Sequence, residues 1–174
     1  MSNPDKKILL DADVISHFIK GDQLNSLPQI FPNKLLILDI VKQEISNRSG
    51  WYQVIQQFID NTDVQEVAFP QEIEFLNEYA HLTSTRGHAL GKGESACLVY
   101  CRYNKDILAS SNLKDILRYC DFHNIEYIKT DDILYEGFKK GILTESICDE
   151  FIQTIKRKGS KFPYNTFNEI LGKK

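Results

Sequence analysis

Three features of the 174-residue sequence predict a three-layer α/β/α sandwich around a mainly parallel central sheet. Apolar runs too short for helices recur along the chain, each is followed by a helical pattern, and acidic residues stand just after several of the runs. Strands and helices that alternate in this way build parallel βαβ units, whose ligands sit beyond the carboxyl ends of the strands. With 42% hydrophobic residues the chain can bury one sizeable core, and its length is too small for two domains of usual size. A single domain over residues 1–174 is therefore expected.

Residues 7–10 form the first apolar run, which ends in Asp11, and residues 14–19 then read as a helix closed by Gly21. The second run, 35–38, leads through Asp39 into a helical stretch containing Val41, Glu44 and Ile45. Residues 51–60 make an amphipathic helix, with Val54, Ile55, Phe58 and Ile59 on one face. Residues 64–69 read as a strand, and Pro70 suits the first turn of a helix reaching about Leu82. Between 84 and 93 the glycines at 87, 91 and 93 indicate a loop. The largely apolar segment 94–103 predicts a buried helix, 107–109 a strand, 113–120 a helix and 127–128 a short strand. Helices at 133–140, stopped by Gly141, and at 145–158 precede a tail containing Pro163.

Residues 1–7 are polar, and no apolar run approaches the roughly 18 residues of a membrane span. The expectation is a soluble, cytoplasmic protein with no membrane partner. Four cysteines inside apolar helical patterns fit a reducing compartment. Cys97 and Cys101 stand one helical turn apart, but no second Cys/His pair completes a tetrahedral set, so two small buried side chains are the favoured reading. The net charge of −3 hides an asymmetry. Residues 1–150 hold 15 Lys/Arg against 23 Asp/Glu, whereas residues 151–174 hold six basic residues against Glu169 alone. That basic end is either a phosphate-binding surface or a solvated helix face.

If the strands are parallel, Asp11, Asp13, Glu44, Glu94 and Asp115 converge at one edge of the sheet. Clustered carboxylates repel one another in a partly desolvated cleft unless protons or hard cations neutralise them. Mg²⁺ and Mn²⁺ prefer the oxygen ligands that such a cluster offers. Each acid also has a structural reading: Asp13 and Asp39 as helix caps, Glu94 and Asp115 as first-turn partners of a helix dipole.

Four segments in order resemble the PIN-domain nucleases. They are Leu9-Leu10-Asp11-Ala12-Asp13-Val14-Ile15, Val41-Lys42-Gln43-Glu44-Ile45, Gly91-Lys92-Gly93-Glu94-Ser95-Ala96 and Ser111-Asn112-Leu113-Lys114-Asp115-Ile116. The resemblance covers a core of about residues 7–130 and leaves 131–174 as a helical, basic C-terminal extension. It implies a ribonuclease that hydrolyses phosphodiester bonds with one or two Mg²⁺ or Mn²⁺ ions, leaving a 5′-phosphate and a 3′-hydroxyl. Asp11, Glu44, Glu94 and Asp115 would be catalytic, with Asp11, Glu94 and Asp115 as the most direct metal ligands. Asp13, Ser111 and Asn112 would support them. Many members carry adjacent acids directly after the strand at 107–109, where this sequence has Ser110 and Ser111, so the fourth acid rests on Asp115.

Small bacterial members of the family include toxins of toxin–antitoxin pairs resembling virulence-associated protein C (VapC). That implies RNA as substrate, an antitoxin protein as partner, and a homodimer as a candidate assembly. The alternative is a non-catalytic PIN-like module that binds nucleic acid or protein. Gly91-Lys92-Gly93 lacks the Ser/Thr of a phosphate-binding P-loop, and no Gly-x-Ser-x-Gly elbow of a serine hydrolase occurs.

Overall fold

The computed structural model describes residues 5–48, 50–84 and 89–174, apart from the side chains of Leu113 and Asp115. The elements run β1 (Ile8–Leu10), α1 (Ala12–Lys20), a 3₁₀ turn (Leu24–Ser26), α2 (Leu27–Ile30), β2 (Leu35–Leu38), α3 (Asp39–Ser46), α4 (Trp51–Asp60) and β3 (Gln65–Val67). There follow α5 (Ile73–Ser84), α6 (Lys92–Asn104), β4 (Ile107–Ala109), α7 (Leu113–His123), β5 (Tyr127–Ile128), α8 (Thr130–Lys139), α9 (Glu145–Arg157) and α10 (Phe167–Leu171).

The five strands form one sheet in the order β3-β2-β1-β4-β5, and every neighbouring pair is parallel. Leu9 stands opposite Leu36 on one side and Leu108 on the other. All residues of the three central strands are buried, as expected of strands covered on both faces, whereas β3 is largely exposed at its edge. Helices α1, α2, α8, α9 and α10 pack among themselves and α5, α6 and α7 among themselves, while α3 touches both α1 and α6. The result is a three-layer α/β/α sandwich.

Local details differ from the sequence-based expectations for identifiable reasons. α5 begins at Ile73 rather than around Pro70, because the stretch before it is tied down first. The Phe69 N–H donates to the Asp39 carboxylate at 3.0 Å, and the Gln71 side-chain amide donates to the Phe69 carbonyl at 2.8 Å. α6 begins at Lys92, with Gly91 as its N-cap and the Ser95 N–H bonded to the Gly91 carbonyl at 2.9 Å. The sequence does not predict the short helices α2 and α10, since four or five residues carry too little periodicity to register. Gly21 has φ −83°, so it is not needed for a left-handed turn. A Cβ there would run into the Phe151 ring, and that close approach requires glycine.

The C-terminal extension is folded onto the domain by its aromatic residues. Phe151 packs on Phe18 at 4.9 Å between ring centroids and Phe162 meets the His17 ring edge-on at 6.0 Å, while Phe167 packs on Phe138 at 5.1 Å within the extension itself. Lys174 pairs with both Asp131 and Asp132. Among the described residues no helix is long and apolar enough to cross a membrane.

Candidate active site

β1 lies at the centre of the sheet, and the chain leaves it toward β2 on one side and returns to β4 on the other. This reversal opens a crevice beyond the carboxyl ends of β1 and β4, where ligands bind in open α/β sheets. Asp11 directly follows β1, and its N–H bonds the Ala109 carbonyl of β4 at 2.9 Å, so the ladder runs to the lip of the crevice. Its carboxylate, only 5% exposed, caps α1 by accepting the Ala12 N–H at 2.7 Å.

Asp13 sits in the first turn of α1. One oxygen accepts the Val14 N–H at 2.7 Å and the other accepts the Ser111 N–H at 2.8 Å. Asp13 thereby ties α1 to the turn between β4 and α7. Asn112 is the N-cap residue of α7 but makes no side-chain capping bond. Its amide instead donates to Glu94 at 3.0 Å across the cleft. Glu44 reaches the same cleft from α3 because residue 93 has no side chain: a Cβ on buried Gly93 would collide with a Glu44 carboxylate oxygen.

The cleft measures about 660 Å³ and is lined by Asp11, Ala12, Asp13, Glu44, Ala89, Leu90, Gly91, Glu94, Asn112, Lys114 and Arg118. Burial raises the Asp11 carboxyl well above its ordinary pKa, the charge of Asp13 raises it further, and Glu94 adds to the effect. The Ala12 N–H and the nearby Ser110 hydroxyl oppose the rise. That hydroxyl is fully buried and makes no hydrogen bond of ordinary geometry, so its help to Asp11 is electrostatic more than directional. Burial likewise raises the Asp13 carboxyl, against the amides that donate to it. The cluster therefore resists its own ionisation, and a cation in the cleft would remove that resistance.

Other residues singled out in the sequence lie elsewhere. The Ser111 hydroxyl faces away from the cleft and pairs with the Thr130 hydroxyl at 2.6 Å, and Thr130 in turn meets Nδ1 of buried His17 at 2.9 Å. Cys97 and Cys101 are buried with their thiols held neutral by burial, which suits packing and not ligation. The side chain of Asp115, in the first turn of α7, lies outside the described residues. Among the described residues no three Asp, Glu, His or Cys side chains stand together at ligating range. Sequence reasoning missed Lys114 and Arg118, whose spacing of four on α7 was the available signal.

No family model matches the chain, and no curated protein matches it significantly. Solved structures do. VapBC2 from Rickettsia felis bound to a DNA fragment from its promoter superimposes with a TM-score of 0.51 at 16% identity, over 70% of this chain and 97% of that one. VapBC-1 from nontypeable Haemophilus influenzae superimposes with a TM-score of 0.52 at 14% identity, over 71% and 97%. The chain has the PIN-like fold. At these identities the likeness concerns the backbone, so the chemistry rests on the side chains described above.

Proposed function

We propose that the chain is a divalent-metal-dependent endoribonuclease acting at this acidic cleft, and that it is the toxin of a toxin–antitoxin pair. The observation that carries the reading is the meeting of Asp11, Asp13, Glu44 and Glu94 in one crevice at the switch point between β1 and β4. The donors are all oxygen and buried Asp11 is penalised for its charge, so the donor chemistry suits a hard cation such as Mg²⁺ or Mn²⁺, with Asp115 needed to complete a set that the described residues do not form by themselves. On this reading Asp11, Glu94 and Asp115 would hold the ion, and Glu44 would hold it or orient water beside it. The chemistry such an ion would supply when bound is a water made nucleophilic at neutral pH and neutralisation of charge on the phosphate and the leaving oxygen.

The remaining residues position and neutralise. Asp13 holds the Ser111 backbone and so sets the height of the β4–α7 turn. Asn112 fixes the Glu94 carboxylate by its hydrogen bond. Lys114 and Arg118 bring positive charge to the same cleft, which a phosphodiester entering among acids needs. The products are a 5′-phosphate and a 3′-hydroxyl. The likeness to VapBC structures supports an antitoxin as the partner.

The test is cleavage of a mixed RNA pool with Mg²⁺ or Mn²⁺, in buffer stripped of other metals, by wild type and by Asp11→Asn and Glu94→Gln. Metal-dependent cleavage lost in both variants supports the nuclease. Metal binding with no cleavage of any RNA replaces it with a non-catalytic binding module. For the toxin role, expression alone should arrest growth, and co-expression of a short adjacent gene should relieve the arrest.

A further inference from the structure

Seven residues beyond Asp13, two turns along the same face of α1 and about 10 Å away, a group of cations gathers around Lys20. Lys158, just past α9, donates its ammonium to the Lys20 carbonyl at 2.7 Å, and the Lys20 ammonium donates to the Ser160 hydroxyl at 2.7 Å. Arg48, just past α3, donates to the Ser16 hydroxyl at 3.0 Å and lies over the Trp51 ring at 4.8 Å. Ser16 stands between Asp13 and Lys20 on α1 and is itself buried, with Arg48 bonded to its hydroxyl between the cleft and Lys20. Arg48 is also only four residues beyond Glu44.

Among the described residues none of the three pairs with a carboxylate. The carboxyl end of α1 offers roughly half an elementary charge to balance three. The proximity has a cost, because burial and then the charges of Arg48 and Lys158 make Lys20 easier to deprotonate than an ordinary lysine. Each cation is held by one hydrogen bond and keeps further N–H donors directed elsewhere. Cations that repel one another, pre-positioned beside an acidic cleft, suit a polyanion that runs past both.

We infer that Lys20, Arg48 and Lys158 form a subsite for the backbone phosphates of a single-stranded RNA whose scissile bond lies in the acidic cleft. This rests on the ribonuclease reading and adds two things to it. RNA then runs along α1 away from Asp13, and the C-terminal extension contributes to substrate binding through Lys158.

The test is fluorescence anisotropy of a labelled single-stranded RNA oligonucleotide, with Ca²⁺ in place of the active metal, titrated at several salt concentrations. Arg48→Gln with Lys158→Gln is compared with wild type, with Arg48→Lys, and with Lys105→Gln, an exposed cation at the opposite, amino end of β4. The subsite predicts about tenfold weaker binding in the double variant, and a salt slope shallower by about 0.7 for each phosphate that is no longer neutralised. Arg48→Lys should retain the slope, and Lys105→Gln should change nothing. An unchanged slope in the double variant, or an equal weakening in Lys105→Gln, overturns the subsite even if wild type cleaves RNA. Salt-dependent binding that disappears in the double variant, with no cleavage by wild type under active metal, upholds the subsite and removes the nuclease reading.

Discussion

The Asp13 carboxylate accepts the backbone N–H of Ser111, 98 residues further along the chain, at 2.8 Å. That bond ties the first turn of α1 to the turn between β4 and α7 at the rim of the crevice, and it sets the first expectation. Asp13→Ala leaves the Ser111 amide unpaired in a half-buried turn and should destabilise the fold by about 1–3 kcal/mol. Asp13→Asn keeps one acceptor, carries no charge to desolvate, and should stay close to wild type. Urea unfolding of both variants beside wild type measures the difference.

Asp11 couples function to instability. Because its carboxyl pKa is raised, the folded metal-free chain holds this proton more tightly than the unfolded chain does. The group therefore favours folding at low pH, and that stability is lost as pH rises through the raised value. Asp11→Asn keeps a helix-capping side chain and removes the buried charge. It should raise the Tm of metal-free protein at neutral pH, by roughly 2–4 °C for each kcal/mol recovered, while abolishing cleavage and the further rise in Tm that Mn²⁺ gives wild type. Thermal scans with and without Mn²⁺ read both effects, and a lower Tm for the metal-free variant would contradict the account.

Gly93 is placed to report on Glu44. Gly→Ala inside a helix ordinarily gains about 0.5–1 kcal/mol, but here the new Cβ meets the Glu44 carboxylate. Gly93→Ala should therefore lose metal affinity and activity without gaining stability. In a Glu44→Ala background the same substitution should become stabilising. A double-mutant cycle in thermal stability, with calorimetric Mn²⁺ titration, isolates that coupling.

His17 sets an acid limit. Burial, with help from Lys20, lowers its pKa from 6.5 to about 4. A His kept neutral in the fold contributes stability that is present above about 6.5 and fades as pH falls toward about 4, on the order of 3 kcal/mol in all. Asp11 acts in the opposite direction over falling pH, so the two separate only by substitution. His17→Gln should flatten the loss between pH 6.5 and 4, read as chemical-denaturant midpoints across that range.

What the sequence revealed, and what it hid, follow from the range of the interactions. β1, β2 and β4 were readable because a strand buried on both faces must be apolar throughout, and the acids after them because a strand must end in polar residues. Asp11, Glu44 and Glu94 were singled out together by the order of the four PIN-like segments, with parallel strands as the condition for their meeting, and all three line one cleft. The role of Ser111 was not legible: its backbone serves Asp13 and its hydroxyl serves Thr130, and neither partner is near in sequence. Lys114 and Arg118 looked like ordinary surface cations until α7 was set against the cleft. Why Gly21 is glycine also lay beyond local pattern, since the reason is a ring 130 residues away.

That ring carries a consequence for the order of events during synthesis. Phe18 in α1 packs against Phe151 of α9, so one of the first helices made waits for one of the last to complete its packing. At ribosomal speeds of about 5–20 residues per second, the wait is on the order of ten seconds. Through that interval the nascent chain lacks the ring that packs against Phe18, although every residue lining the cleft has already been made.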